Sequence, residues 1–123
     1  MKQLLAFASA LWIGVSFLQS CSRDRTPPPN KVACDSSKTY TYTADVKAIF
    51  DNSCATIGCH NAVAPASGVV LDNYLNAKAF TENGQVLCAI HYQPGCISMP
   101  ASGKLPDSLI QKIDCWAHSG FAN

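Results

Sequence analysis

The chain has 123 residues, 48% of them hydrophobic and 14% charged, with a formal net charge of +1, which sizes it for one small globular domain and excludes a second core. A near-neutral balance, with no basic stripe, phosphate loop or interleaved basic and aromatic residues, excludes nucleic acid as the expected partner. Seven cysteines in so short a chain point to an oxidising compartment or to ligation of a metal or prosthetic group.

Residues 1–20 read as a secretory signal. Met1-Lys2-Gln3 is a short positive start, and Leu4 to Leu18 is a mostly apolar run too short to span a bilayer comfortably. The run ends in Leu18-Gln19-Ser20-Cys21, which resembles the lipobox of bacterial lipoproteins, where cleavage precedes a cysteine that becomes lipid-modified. The alternative is ordinary cleavage near Ser20 with Cys21 left as a free thiol. Removal of Lys2 leaves 8 Lys and Arg (9 minus 1) against 8 Asp and Glu. Residues 21–33 then form a tether, charged and stiffened by Pro27, Pro28 and Pro29, with an extended reach on the order of 30 to 40 Å at about 3.1 Å per residue. The folded domain is expected over 34–123.

From Tyr40 the alternation Tyr-Thr-Tyr-Thr suggests a short strand, but Thr43 before Ala-Asp-Val-Lys-Ala-Ile-Phe has the chemistry of a helix N-cap with an acidic first turn. Val46, Ile49 and Phe50 share a helical face, and the helix runs directly into Cys54. Asn61 to Val69, rich in Ala, Pro, Ser and Gly, reads as a loop. A second helix is expected after a cap at Asp72, with Tyr74, Leu75, Lys78 and Ala79 on one stripe, and a third after Gly84, with Val86, Leu87 and Ile90. Pro94, Gly95, Pro100, Gly103 and Pro106 exclude a regular element from 91–106. The last segment has a clear helical period in Leu109, Ile110, Ile113, Trp116 and Ala117, with Pro106 acceptable at its start and Gly120 as a stop. The class is all-α: three to four short helices joined by long loops.

The stretch Cys54-Ala55-Thr56-Ile57-Gly58-Cys59-His60 presents two thiols and an imidazole in the order used to attach haem covalently. In the usual C-x-x-C-H form two sulfurs add to the haem vinyl groups and the adjacent histidine ligates iron. The spacing here is C-x4-C-H, and Gly58 supplies the backbone freedom that the two extra residues require.

An amino-terminal helix leading into that motif, a Pro- and Gly-bounded loop carrying Ser98-Met99-Pro100, and a last helix bearing Ile113 and Trp116 together resemble a class I c-type cytochrome. The resemblance covers about residues 40 to 121 and is closest to the small lipid-anchored monohaem cytochromes of Gram-negative bacteria, which shuttle electrons. It implies haem c as cofactor, Cys54 and Cys59 as the thioether attachments, His60 as the proximal iron ligand and Met99 as the distal one. It further implies redox partner proteins, attachment to a membrane through lipid on Cys21, and a position facing the periplasm or the cell exterior. The widened spacing departs from the family's usual motif.

Other readings stand beside these. Cys54 and Cys59 can pair as a short disulfide, or hold zinc if a further ligand is found. His91 competes with Met99 for the distal position, because imidazole ligates iron well. Met99 has an alternative as an apolar filler, His118 as a surface residue near a helix end, and Trp116 as core. Cys34, Cys88, Cys96 and Cys115 form an even remainder that allows two disulfides in three pairings. Cys88 with Cys96 and Cys34 with Cys115 are preferred, the first pinning the Met99 loop and the second tying the domain entrance to the last helix. No nucleophile and base pair or paired carboxylate set stands out, so the chain is not expected to be an enzyme. The rival to an electron carrier is a haem-free, disulfide-stapled lipoprotein that binds a partner or serves structurally.

Overall fold

A computed structural model describes residues 33–123. The signal segment 1–20, the lipidation site Cys21 and all of the tether except Ala33 lie outside the described residues. The domain is helical. A wide π turn, Tyr42–Val46, continues into α1 (Lys47–Ser53), followed by α2 (Tyr74–Glu82), α3 (Gln85–Ile90) and α4 (Asp107–His118). Among the described residues there is no β-strand, only a single parallel bridge between Thr41 and Ala122, and no helix is long and apolar enough to cross a membrane.

The amino-terminal helical segment begins two residues earlier than expected. Thr41, not Thr43, is the cap: its backbone is extended and its side chain accepts the Ala44 N–H at 3.2 Å. The Thr41 N–H in turn donates to Asp45 at 3.0 Å, so cap and first-turn carboxylate satisfy one another. Asp45 is buried and also receives Lys38; that ammonium holds its carboxyl below the ordinary range despite burial. The expected apolar face is realised, with Val46, Ile49 and Phe50 all buried. The strand suggested by the Tyr-Thr alternation amounts to the one bridge, in which Tyr42 N–H donates to Ala122 O at 2.8 Å.

In α2 two expectations are corrected. The cap is Asn73, whose side chain accepts the Asn76 N–H at 3.0 Å, and Asp72 stands one residue too early. The buried face runs through Ala77 and Thr81, with Tyr74 and Phe80 partly covered, whereas Leu75 is 73% exposed and Ala79 exposed. Residues 74, 77 and 81 share a helical face, and Leu75, a third of a turn away, falls outside it. Thr81 resolves its burial by donating to the Ala77 carbonyl at 2.7 Å. The third helix follows the expected course, capped by Gly84 at φ 86, with Val86 and Ile90 buried. The 61–69 loop contains one 3-10 turn, Ala66–Gly68, and 91–106 has no regular element.

The last helix, α4, buries Ile110, Ile113, Asp114, Cys115 and Trp116. It stops where Gly120 takes φ 88 and Phe121 N–H donates back to Trp116 O at 3.0 Å, a left-handed termination that glycine adopts without a Cβ penalty. Trp116 is fully buried. Its ring lies 5.8 Å from Tyr42, 6.4 Å from Phe50 and 5.1 Å from Phe121, the last two edge-on. Its indole N–H donates to Ala122 O at 2.7 Å, so the one polar atom of the largest core side chain is satisfied. The amino-terminal segment and α4 are thus joined through aromatic contacts, and α2 packs on α3.

Two disulfides complete the frame. Cys34 pairs with Cys115, Cα to Cα 5.5 Å, and Cys88 with Cys96, 6.0 Å. This is the preferred pairing of the three that the sequence allows. The first holds the chain entrance against α4, where Gln111 also donates to Ala33 O at 2.7 Å.

Candidate functional site

Cys54 follows the last residue of α1, and its N–H still donates to Phe50 O at 2.9 Å. The helix therefore fixes where the first thiol begins. The chain then closes a tight loop: His60 N–H donates to Cys54 O at 3.0 Å and Cys59 N–H to Thr56 O at 3.0 Å. Gly58 takes φ 80 within it, a conformation that a side chain would strain. The two thiols differ. Cys54 is 8% exposed, and burial pushes its thiol up from 9.0 to about 11, with the nearby Cys59 adding to the rise. Cys59 is exposed, and both are unpaired. The short disulfide between them is therefore not formed.

His60 is held from three directions. Its carbonyl accepts Leu71 N–H at 2.7 Å, its amide is bound to Cys54, and its ring Nδ1 lies 3.3 Å from Val69 O. A carbonyl only accepts, so a neutral His60 ring making this contact donates from Nδ1 and presents an unprotonated Nε2, the tautomer a metal-ligating imidazole needs. Val69 and Leu71 owe their places to the loop between them and His60. Asp72 accepts Ala62 N–H at 2.7 Å, and Asn61 accepts Val63 and Ala64 N–H at 3.2 and 2.9 Å. The Ala62 amide, then the Asn73 side chain, holds the Asp72 carboxyl below the ordinary range. These supports are backbone and loop contacts, for which the sequence carries no periodic signal.

Met99 arrives from the other end of the domain. Its N–H donates to Ala89 O at 3.1 Å, and Cys96, three residues before it, is tied to Cys88 on α3. The 91–106 loop is thereby docked on α3 near Met99 instead of hanging free.

These segments enclose one cavity of about 450 Å³, within the usual range for a site that takes an organic ligand. Cys54, Cys59, His60 and Met99 all line it, with Leu71, Val86, Ala89 and Ile90 among the apolar walls. The contiguous Cys54, Cys59 and His60 and the distant Met99 are thus brought to one cavity. His91 is not among the lining residues: its Nε2 lies 2.8 Å from Asp114 Oδ1 and 3.1 Å from Oδ2 on α4. His118 is exposed on the last turn of α4. Asp114, which engages His91, carried no mark in the sequence beyond an acidic residue beside a cysteine.

The donor set is chemically compatible with a haem. An imidazole nitrogen, a thioether sulfur and two unpaired thiols on an apolar wall are groups of the kinds that can ligate and attach a c-type haem. Among the described residues no three His, Cys, Asp or Glu side chains stand together as a metal ion would need, and zinc would require a further ligand here. Compared with models of known families, with curated proteins and with solved structures, the chain has no match.

Proposed function

We propose that this chain is an electron-transfer protein that carries one covalently bound c-type haem in a small class I cytochrome-like domain. The single observation that carries the reading is that Cys54, Cys59, His60 and Met99 line one cavity while the other four described cysteines are engaged in disulfides. Cys54 and Cys59 would hold the haem through thioethers, and His60 Nε2 and the Met99 sulfur would ligate its iron. When bound, the haem supplies a one-electron couple, tuned by these axial ligands and by burial. The chain's part is to fix the imidazole through Val69, to dock the thioether through Ala89 and the Cys88–Cys96 bridge, and to keep water from the apolar walls. The aromatic junction of Trp116 with Phe50 and Tyr42, which joins the amino-terminal segment to α4, is a further support.

The lipobox-like segment ending in Cys21 extends the proposal to a lipoprotein tethered at a membrane, facing the periplasm or exterior of a Gram-negative bacterium, and serving redox partner proteins. A haem stain on a denaturing gel of membrane fractions, from cells that contain haem-attachment machinery, tests both parts. The expected result is stained protein in the membrane fraction. Unstained protein of the right size would leave a haem-free, disulfide-stapled lipoprotein as the better reading.

A further inference from the structure

Three helices are followed by a residue in the left-handed conformation, and two of them use glycine there. Gly84 follows α2 at φ 86, its N–H donating to Thr81 O at 3.0 Å. Gly120 follows α4 at φ 88, with Gly120 N–H on Ala117 O at 3.3 Å and Phe121 N–H on Trp116 O at 3.0 Å. The helix α3 closes with the same pair of bonds as α4, Tyr92 N–H to Ala89 O at 3.2 Å and Gln93 N–H to Cys88 O at 3.0 Å, but its left-handed residue is Tyr92 at φ 56. A Cβ is penalised in this conformation, which is why glycine dominates such helix ends, and a tyrosine stays there only where other contacts hold it.

The Tyr92 side chain supplies that contact. Its Oη donates to Pro100 O at 3.2 Å, and Pro100 directly follows Met99. Its backbone N–H shares the Ala89 carbonyl with Met99 N–H, at 3.2 and 3.1 Å. The other ties of the loop are the Cys88–Cys96 bridge, Cys96 N–H to Gln93 O at 3.3 Å and Gly103 N–H to Pro100 O at 3.1 Å. The first two act before Met99 and the last is internal to the loop. Among the described residues, the Tyr92 phenol thus makes the one hydrogen bond from the end of α3 to the chain beyond Met99. Tyr92 is 37% exposed and does not line the cavity, whereas Ala89, Met99 and Pro100 do. It acts on the cavity only through the segment it holds.

We infer that Tyr92 is a positioning residue for Met99: its phenol, bonded to the Pro100 carbonyl, keeps the thioether in the cavity and slows its release from iron. The inference rests on the reading of Met99 as distal ligand and adds to it what decides how firmly that ligand is held. A glycine at 92 would close α3 without strain, as Gly120 closes α4, but would leave Pro100 untied to α3.

The test uses the full holoprotein, purified in detergent, with Tyr92→Phe and Tyr92→Gly beside the parent. The first keeps the ring and loses the donor; the second loses both and relieves the backbone. The rate at which ferrous protein binds carbon monoxide, limited by release of the distal ligand, is expected to rise about fivefold in Tyr92→Phe, the factor that an ordinary net hydrogen bond is worth, and at least as much in Tyr92→Gly. On heating, the weak long-wavelength band of the ferric iron-to-thioether bond is expected to fade at a lower temperature in both variants than in the parent. The urea midpoint of Tyr92→Gly is expected at or above the parent's, which separates a looser ligand from a looser fold. An unchanged carbon monoxide rate in Tyr92→Phe, or an iron in Tyr92→Gly that opens only with a urea midpoint below the parent's, would overturn the role of Tyr92 while leaving the haem reading intact. A parent that lacks the iron-to-thioether band would instead remove Met99 as distal ligand, and the inference with it.

Discussion

His91 Nε2 lies 2.8 Å from Asp114 Oδ1, and this one contact between the end of α3 and the middle of α4 removes the only rival imidazole from the cavity. Asp114 is 7% exposed, so the carboxylate depends on His91 for a partner. Replacing His91 by Ala is expected to leave the haem spectrum and ligand binding unchanged but to destabilise the fold by about 1 to 3 kcal/mol, the cost of stranding a buried acceptor. Chemical denaturation followed beside the visible spectrum checks both halves; an iron that opens to added ligands in this variant would make His91 the distal residue.

Met99 supplies the complementary case. A thioether favours ferrous over ferric iron relative to a second imidazole. Met99→His is expected to keep covalent haem and lower the reduction potential, and Met99→Ala to bind added imidazole or carbon monoxide. Redox titration and carbon monoxide difference spectra read these outcomes. A ferrous Met99→Ala protein that ignores carbon monoxide would place the sulfur elsewhere.

The two thiols proposed to attach haem should behave differently in haem-free protein. Cys59 is exposed and Cys54 buried, so a thiol reagent is expected to modify Cys59 first and Cys54 only slowly. Burial raises the Cys54 pKa from 9.0 to about 11, so the folded state favours the protonated thiol. That stabilisation is complete below about pH 9 and is lost as pH rises toward 11, as the unfolded chain ionises first. The loss is on the order of 2 to 3 kcal/mol, and it should be missing from Cys54→Ala. Urea midpoints of parent and variant, compared at neutral and at high pH, measure it; parallel losses in the two proteins would contradict it.

Much of the scaffold was legible in the sequence, and the exceptions have physical reasons. The period of Ile110, Ile113 and Trp116 and the stop at Gly120 identify α4, because an amphipathic face and a left-handed glycine are local signals. The caps were displaced, from Thr41 to Thr43 and from Asn73 to Asp72, because neighbouring residues have equivalent capping chemistry and only the extended backbone at one of them decides. The face of α2 was misread because Leu75 drew the stripe toward itself, although tertiary packing there uses the small Ala77 and the hydroxyl-bonded Thr81. At the site, Cys54, Cys59 and His60 are contiguous and could be read directly. The choice between Met99 and His91 depends on Asp114, 23 residues beyond His91, and on a backbone bond from Met99 to Ala89. Such long-range pairings leave no periodic trace.

The disulfides divide the stabilising work unequally. Cys34–Cys115 spans 81 residues and Cys88–Cys96 only 8, so chain entropy alone gives about 4.5 kcal/mol for the first and about 2.5 kcal/mol for the second. Cys34→Ser should therefore lower stability more than Cys96→Ser, whereas Cys96→Ser should loosen the Met99 loop and make the iron more accessible to carbon monoxide. Denaturation and ligand-binding rates of the two variants test this division. A larger spectral change in Cys34→Ser than in Cys96→Ser would reverse the assigned roles.

The most direct measurement is the intact mass, under denaturing conditions, of protein produced with haem-attachment machinery, taken with its absorption spectrum and with the Cys54→Ala, Cys59→Ala double variant beside it. The expected result is the polypeptide plus one haem for the parent, a ferrous spectrum of thioether-linked haem, and no haem mass in the double variant. A parent of unmodified polypeptide mass, or haem retained after both thiols are removed, would contradict covalent attachment at Cys54 and Cys59.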